Sequence, residues 1–171
     1  MTRSTSVRLM PALLLVGVIG LTAFPQAQAP APPAAATQKP APVPQALTYE
    51  MAVTVIDAAE AEARKNNWNV TIVVTDAAGT PVVLRRITGA SARSYDIAMR
   101  KAATVVAAKM TTAEYGAKMK EKAVTEVPNG ITFAGGVPIM RGEEFIGAVG
   151  TSGVTAAQDE IISKAGAGVI K

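Results

Sequence analysis

The groups equipped for chemistry in this 171-residue chain are two acidic pairs, a helix carrying arginines and a lysine, and a run of glycines near the C-terminus. Asp57-x-x-Glu60 spaces two carboxylates for one face of a helix. Such a pair either holds a hard cation weakly or forms part of a solvated surface. Asp159-Glu160 opens a late helical pattern, where acids complement the helix dipole. Gly135-Gly136 and Gly150-x-x-Gly153 invite comparison with phosphate-cradling loops. Neither is followed by the Lys-Ser/Thr of a P-loop, and neither sits at a first strand-to-helix turn, so turn geometry is the reading they favour. Histidine and cysteine are both absent, which removes the usual zinc sites and the Ser-His-Asp arrangement. A general base would have to be Asp76, Asp159, Glu160 or a lysine.

These groups need elements to hold them. Thr48 can cap a first helix whose Leu47, Met51, Val55, Ala59 and Ala63 recur on one stripe, with Asn66-Asn67 ending it. Asn69–Thr75 and Thr80–Arg86 are β-rich runs joined by Asp76-Ala-Ala-Gly79, which predicts a hairpin. A second helix over Ala92–Met110 gathers Tyr95, Ala98, Met99, Ala102, Val105 and Val106 on the side expected to face the core. Its opposite side mixes Arg93, Ile97, Arg100, Thr104, Ala107 and Ala108. A third helix runs from a cap at Thr111 or Thr112 to about Val124, two strands hairpin at Arg141-Gly-Glu143, and Ala156–Val169 forms the last helix. A short extra strand over Ile131–Ala134 remains an option. The order α-β-β-α-α-β-β-α lacks the alternation of a parallel sheet and predicts an α+β domain, an antiparallel sheet flanked by helices.

Composition sets the outer bounds. An apolar share of 49% with 18% charged residues fits one globular domain, and 4% aromatics make its core aliphatic. Residues 1–29 have the form of a signal peptide: Arg3 and Arg8, an apolar stretch from Leu9 to Ala23, and Ala27-Gln-Ala29 as a cleavage pattern. The stretch is shorter than the roughly 18 to 20 residues of a spanning helix. Export to the periplasm or the medium is expected, with membrane attachment only if the N-terminus stays uncleaved. Removal would leave 15 Lys+Arg against 13 Asp+Glu, a net charge of +2, and no clustered basic stripe suggests nucleic-acid binding. Residues 30–46, rich in Pro and Ala, read as an extended tether, and the domain as 47–171.

Asp76-x-x-Gly79, Ser94-Tyr95, Arg100-Lys101-Ala102, Gly135-Gly136-x-Pro138, Gly147-x-x-Gly150-x-x-Gly153 and Asp159-Glu160, in that order, span nearly all of 47–171. Together they resemble the GlcG/HbpS family of small haem-binding proteins, whose domain recurs at the C-terminus of PduO-type corrinoid adenosyltransferases. The resemblance implies a profilin-like version of the α+β architecture and haem as the cofactor. PduO-type modules place a histidine on the iron, and this chain has none. Haem-sensing members use a threonine oxygen in the segment that here reads Lys101-Ala-Ala-Thr104, which makes Thr104 the candidate ligand of haem iron. The resemblance also places Gly135 and Gly136 at the border of the ligand side.

A porphyrin requires an apolar surface for its face and cations for its propionates, and Ile97 and Ala108 stand beside Arg93, Arg100 and Lys101. Thr104 equally well hydrogen-bonds the preceding helical turn. Tyr95 and Tyr115 are further oxygen donors, and Met99 and Met110 fit space-filling roles. Three functions follow. The first is an exported protein that stores, senses or scavenges haem, with iron-mediated haem degradation as an extension. The second is a domain that binds or processes a small organic acid of glycolate-type metabolism. The third is a cofactor-free interaction module. A homo-oligomer, with an octamer among the options, fits all three.

Overall fold

Thr48 accepts the Met51 N–H through its hydroxyl and starts α1, Tyr49–Lys65, as its position predicts. The structure, a computed structural model, describes residues 46–171. The signal peptide expected over 1–29, and the tether expected over 30–46 except its last residue, lie outside the described residues. After α1 come β1 (Thr71–Asp76), β2 (Pro81–Arg86), α2 (Arg93–Ala108), α3 (Thr112–Lys120), β3 (Gly136–Arg141), β4 (Glu144–Ser152) and α4 (Ala156–Ala167). The predicted element order holds, without the optional strand over 131–134. Both expected hairpins are present. In the first, Asp76 Oδ1 accepts the Ala78 and Thr80 N–H groups at 2.9 Å, and Gly79 takes φ +87°.

All four strands pair antiparallel in the order β2-β1-β4-β3. The two central strands therefore have neighbours on both sides, and β1 is buried from Thr71 to Thr75. Two apolar clusters cover the two faces of the sheet. The larger joins Val55, Ile56 and Ala59 of α1 and Ile162 of α4 to Ile72, Val74, Ile139 and Val149. The smaller joins Ala102 and Val105 of α2 to Ala148, with Val106 and Phe145 at its margin. A Cβ on Gly150 would run into the Ala98 carbonyl, so the bare glycine backbone is what lets α2 lie this close to β4.

The buried face of α2 departs from the expected one. Tyr95 is 46% exposed, whereas Ser94, Lys101 and Thr104 are buried with Ala98, Ala102 and Val105. The face is rotated toward polar residues because each of them meets a partner on another element. Ser94 Oγ, for example, lies 2.7 Å from Thr71 Oγ1 of β1. Helix α3 ends at Lys120 rather than Val124, since Lys122 enters the left-handed region at φ 55°.

Candidate functional site

Three separated motifs of the sequence converge on one buried polar joint. Lys101 Nζ donates to Asp159 Oδ2 at 2.7 Å and to the Thr151 carbonyl at 2.8 Å. The two side chains are 0% and 3% exposed. Lys101 reaches Asp159 past Gly135, where a Cβ would strike the ammonium itself. Ser163 Oγ lies 2.8 Å from both the Gly135 carbonyl and Thr151 Oγ1, and Asp159 Oδ1 accepts the Val154 N–H at 3.3 Å. Phe133 sits over the ammonium, its centroid 5.1 Å from Nζ. Burial pushes the Lys101 ammonium below its ordinary range and the Asp159 carboxyl above its own, with each charge opposing the shift of the other. The joint ties α2, on one face of the sheet, to α4 on the other.

The open feature lies at the far end of α2. Ala107, Ala108 and Met110 form one wall of a groove of about 410 Å³, Tyr115 of α3 lines it, and Val124–Pro128 close it. The closing segment is pinned at two points: Tyr115 Oη accepts the Val127 N–H at 2.8 Å, and Arg100 Nε donates to the Asn129 carbonyl at 2.9 Å. Thr125 and Glu126 are the polar and acidic side chains on an otherwise apolar lining.

The residues nominated from the sequence divide between these places. Thr104, expected to offer its oxygen to iron, is 1% exposed, donates to the Arg100 carbonyl at 2.7 Å and accepts the Ile131 N–H at 2.9 Å. Its hydroxyl is held by the framework on both counts. Lys101 is likewise taken by Asp159 and does not serve as a surface cation. Gly135 and Gly136 are buried; Gly135 lies between Lys101 of α2 and Asp159 of α4, and the Gly136 N–H is held by Thr112 Oγ1 of α3 at 2.9 Å, so both take part in packing helices against the sheet. Arg93 and Arg100 are exposed, Ile97 is half-buried, and Ala108 lines the groove together with Ala107, Met110 and Tyr115, which the sequence also singles out.

The acidic pair on α1 lies at the surface, with Asp57 more than half exposed and Glu60 partly buried. Arg85 of β2 bridges Asp57 and Glu60, and Arg64 also pairs with Glu60. Among the described residues no group of three or more His, Cys, Asp or Glu could hold a metal ion, and no helix is long and apolar enough to cross a membrane. The sequence pattern assigns no role to the segment 124–128. Its only signal was the Pro128-Asn-Gly130 turn after a lysine-rich helix.

A four-stranded antiparallel sheet with two helices on each face, closed by a buried joint and an open groove at the end of α2, defines a profilin-like α+β domain. Residues 47–168 match the family described as haem degrading protein HbpS-like, and the chain belongs to that family. GlcG of Escherichia coli is 36% identical over 108 residues, which cover 62% of this chain and 81% of GlcG. The crystal structure of a double mutant of Streptomyces reticuli HbpS superposes with a TM-score of 0.71 at 31% identity, covering 82% of this chain and 98% of that one. The crystal structure of a PduOC–haem complex gives a TM-score of 0.63 at 28% identity, with coverages of 74% and 96%.

Proposed function

We propose that this protein binds haem in the groove at the C-terminal end of α2 and acts, after export, as a haem-holding protein of the periplasm or the medium. Family membership supports the ligand. The observation that carries the place is the groove itself: about 410 Å³, open, and walled by Ala107, Ala108, Met110 and Val127. Such a lining fits the face of a porphyrin better than it fits a small hydrophilic acid. Part of a macrocycle would enter, and the rest would lie against the exposed side of α2 or a second copy of the chain in a homo-oligomer.

With no histidine or cysteine in the chain, and with the Thr104 and Tyr115 hydroxyls both held in framework hydrogen bonds, the donors left on the lining are the Met110 thioether, the Thr125 hydroxyl and the acidic Glu126. Bound haem supplies a redox-active iron; the protein supplies an apolar seat that exchanges its ligand readily. Titration of the protein with ferric haem, followed at the Soret band, tests the proposal. A saturable shift that disappears in Ala108→Asp supports it. A featureless titration, with turnover of a small organic acid in its place, would favour the glycolate-type reading.

A further inference from the structure

The far wall of the groove hangs between two backbone hinges. Val124–Pro128, which lines the groove, has no helix or strand of its own, and Lys122 before it and Asn129 after it take left-handed backbone at φ 55° and 57°. The chain is anchored at each hinge: the Ala123 N–H donates to the Lys118 carbonyl at 2.9 Å, and Arg100 Nε donates to the Asn129 carbonyl at 2.9 Å. Between these anchors, among the described residues, a single hydrogen bond ties the wall to the helices, from the Val127 N–H to Tyr115 Oη at 2.8 Å. The Val127 carbonyl accepts the Gly130 N–H at 2.8 Å, which closes the turn at the second hinge. Tyr115 is fixed in place: it is 1% exposed on α3, and its ring lies so near that turn that a Cβ on Gly130 would stand 3.3 Å from Cε1. Thr125, Glu126 and Pro128 are exposed, whereas Val124 and Val127 are half-buried. A segment with so little buried surface and one hydrogen bond to the body opens at a far lower free energy than the sheet does.

We propose that Val124–Pro128 is a flap over the groove and that the Tyr115 hydroxyl is its latch, so that this one bond sets how fast a ligand enters and leaves. The ligand rests on the haem reading above; the motion does not. Tyr115→Phe keeps the ring and removes only the acceptor, so it isolates the latch. Loss of the latch favours the open flap whether or not the groove is filled, and the two directions of exchange should speed up together. In the full chain, haem uptake by stopped flow and haem transfer to excess apomyoglobin are each expected to run about three- to tenfold faster in Tyr115→Phe, with Kd unchanged within about twofold. Faster dissociation alone would make Tyr115 a ligand contact, and two unchanged rates would mean a fixed wall; either result overturns the latch. A glutamate-specific protease reads the same motion without ligand. Cleavage after Glu126 should be about three- to tenfold faster in Tyr115→Phe, while cleavage after the exposed Glu143 of the β3–β4 turn stays the same. Equal rates at Glu126 in the two chains, or a matching rise at Glu143 that marks a generally loosened fold, would overturn the proposal. A native chain that takes up no haem would overturn the groove's ligand, and the cleavage rates would then decide the flap by themselves.

Discussion

The middle and the C-terminal end of α2 solve opposite problems. At Lys101 the helix carries a full charge into the interior and satisfies it there, with Asp159, the Thr151 carbonyl and a bare glycine backbone arranged around it. At Ala107–Met110 the same helix offers small and apolar groups to an open groove. Polar residues are thus buried where the fold is joined, and apolar residues are left open where a ligand can sit. In this domain the charged motif at Lys101 marks architecture, and the proposed binding surface lies in an unremarkable stretch nearby.

The sharpest way to break this contrast is to attack the joint. Lys101→Met or Asp159→Leu alone leaves a buried charge without its partner, and each is expected to lower unfolding free energy by about 3–5 kcal/mol. The double variant Lys101→Met/Asp159→Leu should lose far less than the sum of the two in urea denaturation. Additive losses would mean that the two residues act separately. Next in size is Thr104→Ala, which strands the Ile131 N–H and should lose about 1–3 kcal/mol while the Soret position of added haem stays unchanged. A moved Soret band with unchanged stability would return Thr104 to the iron.

The joint also makes a statement about pH. In the native chain burial already raises the Asp159 carboxyl, and the Lys101 ammonium holds it back. In Lys101→Met that restraint is gone, so the folded carboxyl rises further above its ordinary value of about 3.9. A raised folded pKa gives stability that is present below the unfolded value and lost as pH rises through the folded one. Lys101→Met should therefore recover part of its deficit against the native chain as pH falls from 7 toward 4, as read by denaturant midpoints across that range. A deficit constant with pH would show that Asp159 is not the group left unpaired. Smallest of all on stability, Ala108→Asp at the half-buried C-terminal residue of α2 should lower unfolding free energy by about 1 kcal/mol, through poorer helix propensity and the helix dipole. Its effect belongs to ligand binding, the reverse of the pattern at the joint.

The fold was legible in the sequence wherever local chemistry decides. Thr48 and Thr111 cap helices, Asp76 and Gly79 make a turn, and β1 is a run of β-branched residues buried on both faces. The orientation of α2 was not legible in this way. Hydropathy places Tyr95 inward and Thr104 outward, but Lys101 and Thr104 are drawn in by partners 58 and 27 residues away, which no helical period can reveal. The groove escaped for a related reason. Its far wall is the irregular segment 124–128, whose position follows from the left-handed turn at Lys122 and the hold of Tyr115 on Val127.

The most direct measurement is a Soret titration of ferric haem into the native chain, Ala108→Asp and Thr104→Ala side by side. Saturable binding by the native chain and by Thr104→Ala, with binding lost in Ala108→Asp, is the predicted result. Binding that survives Ala108→Asp but fails in Thr104→Ala would place the ligand at the buried interior stretch of the helix and contradict the division of labour described above.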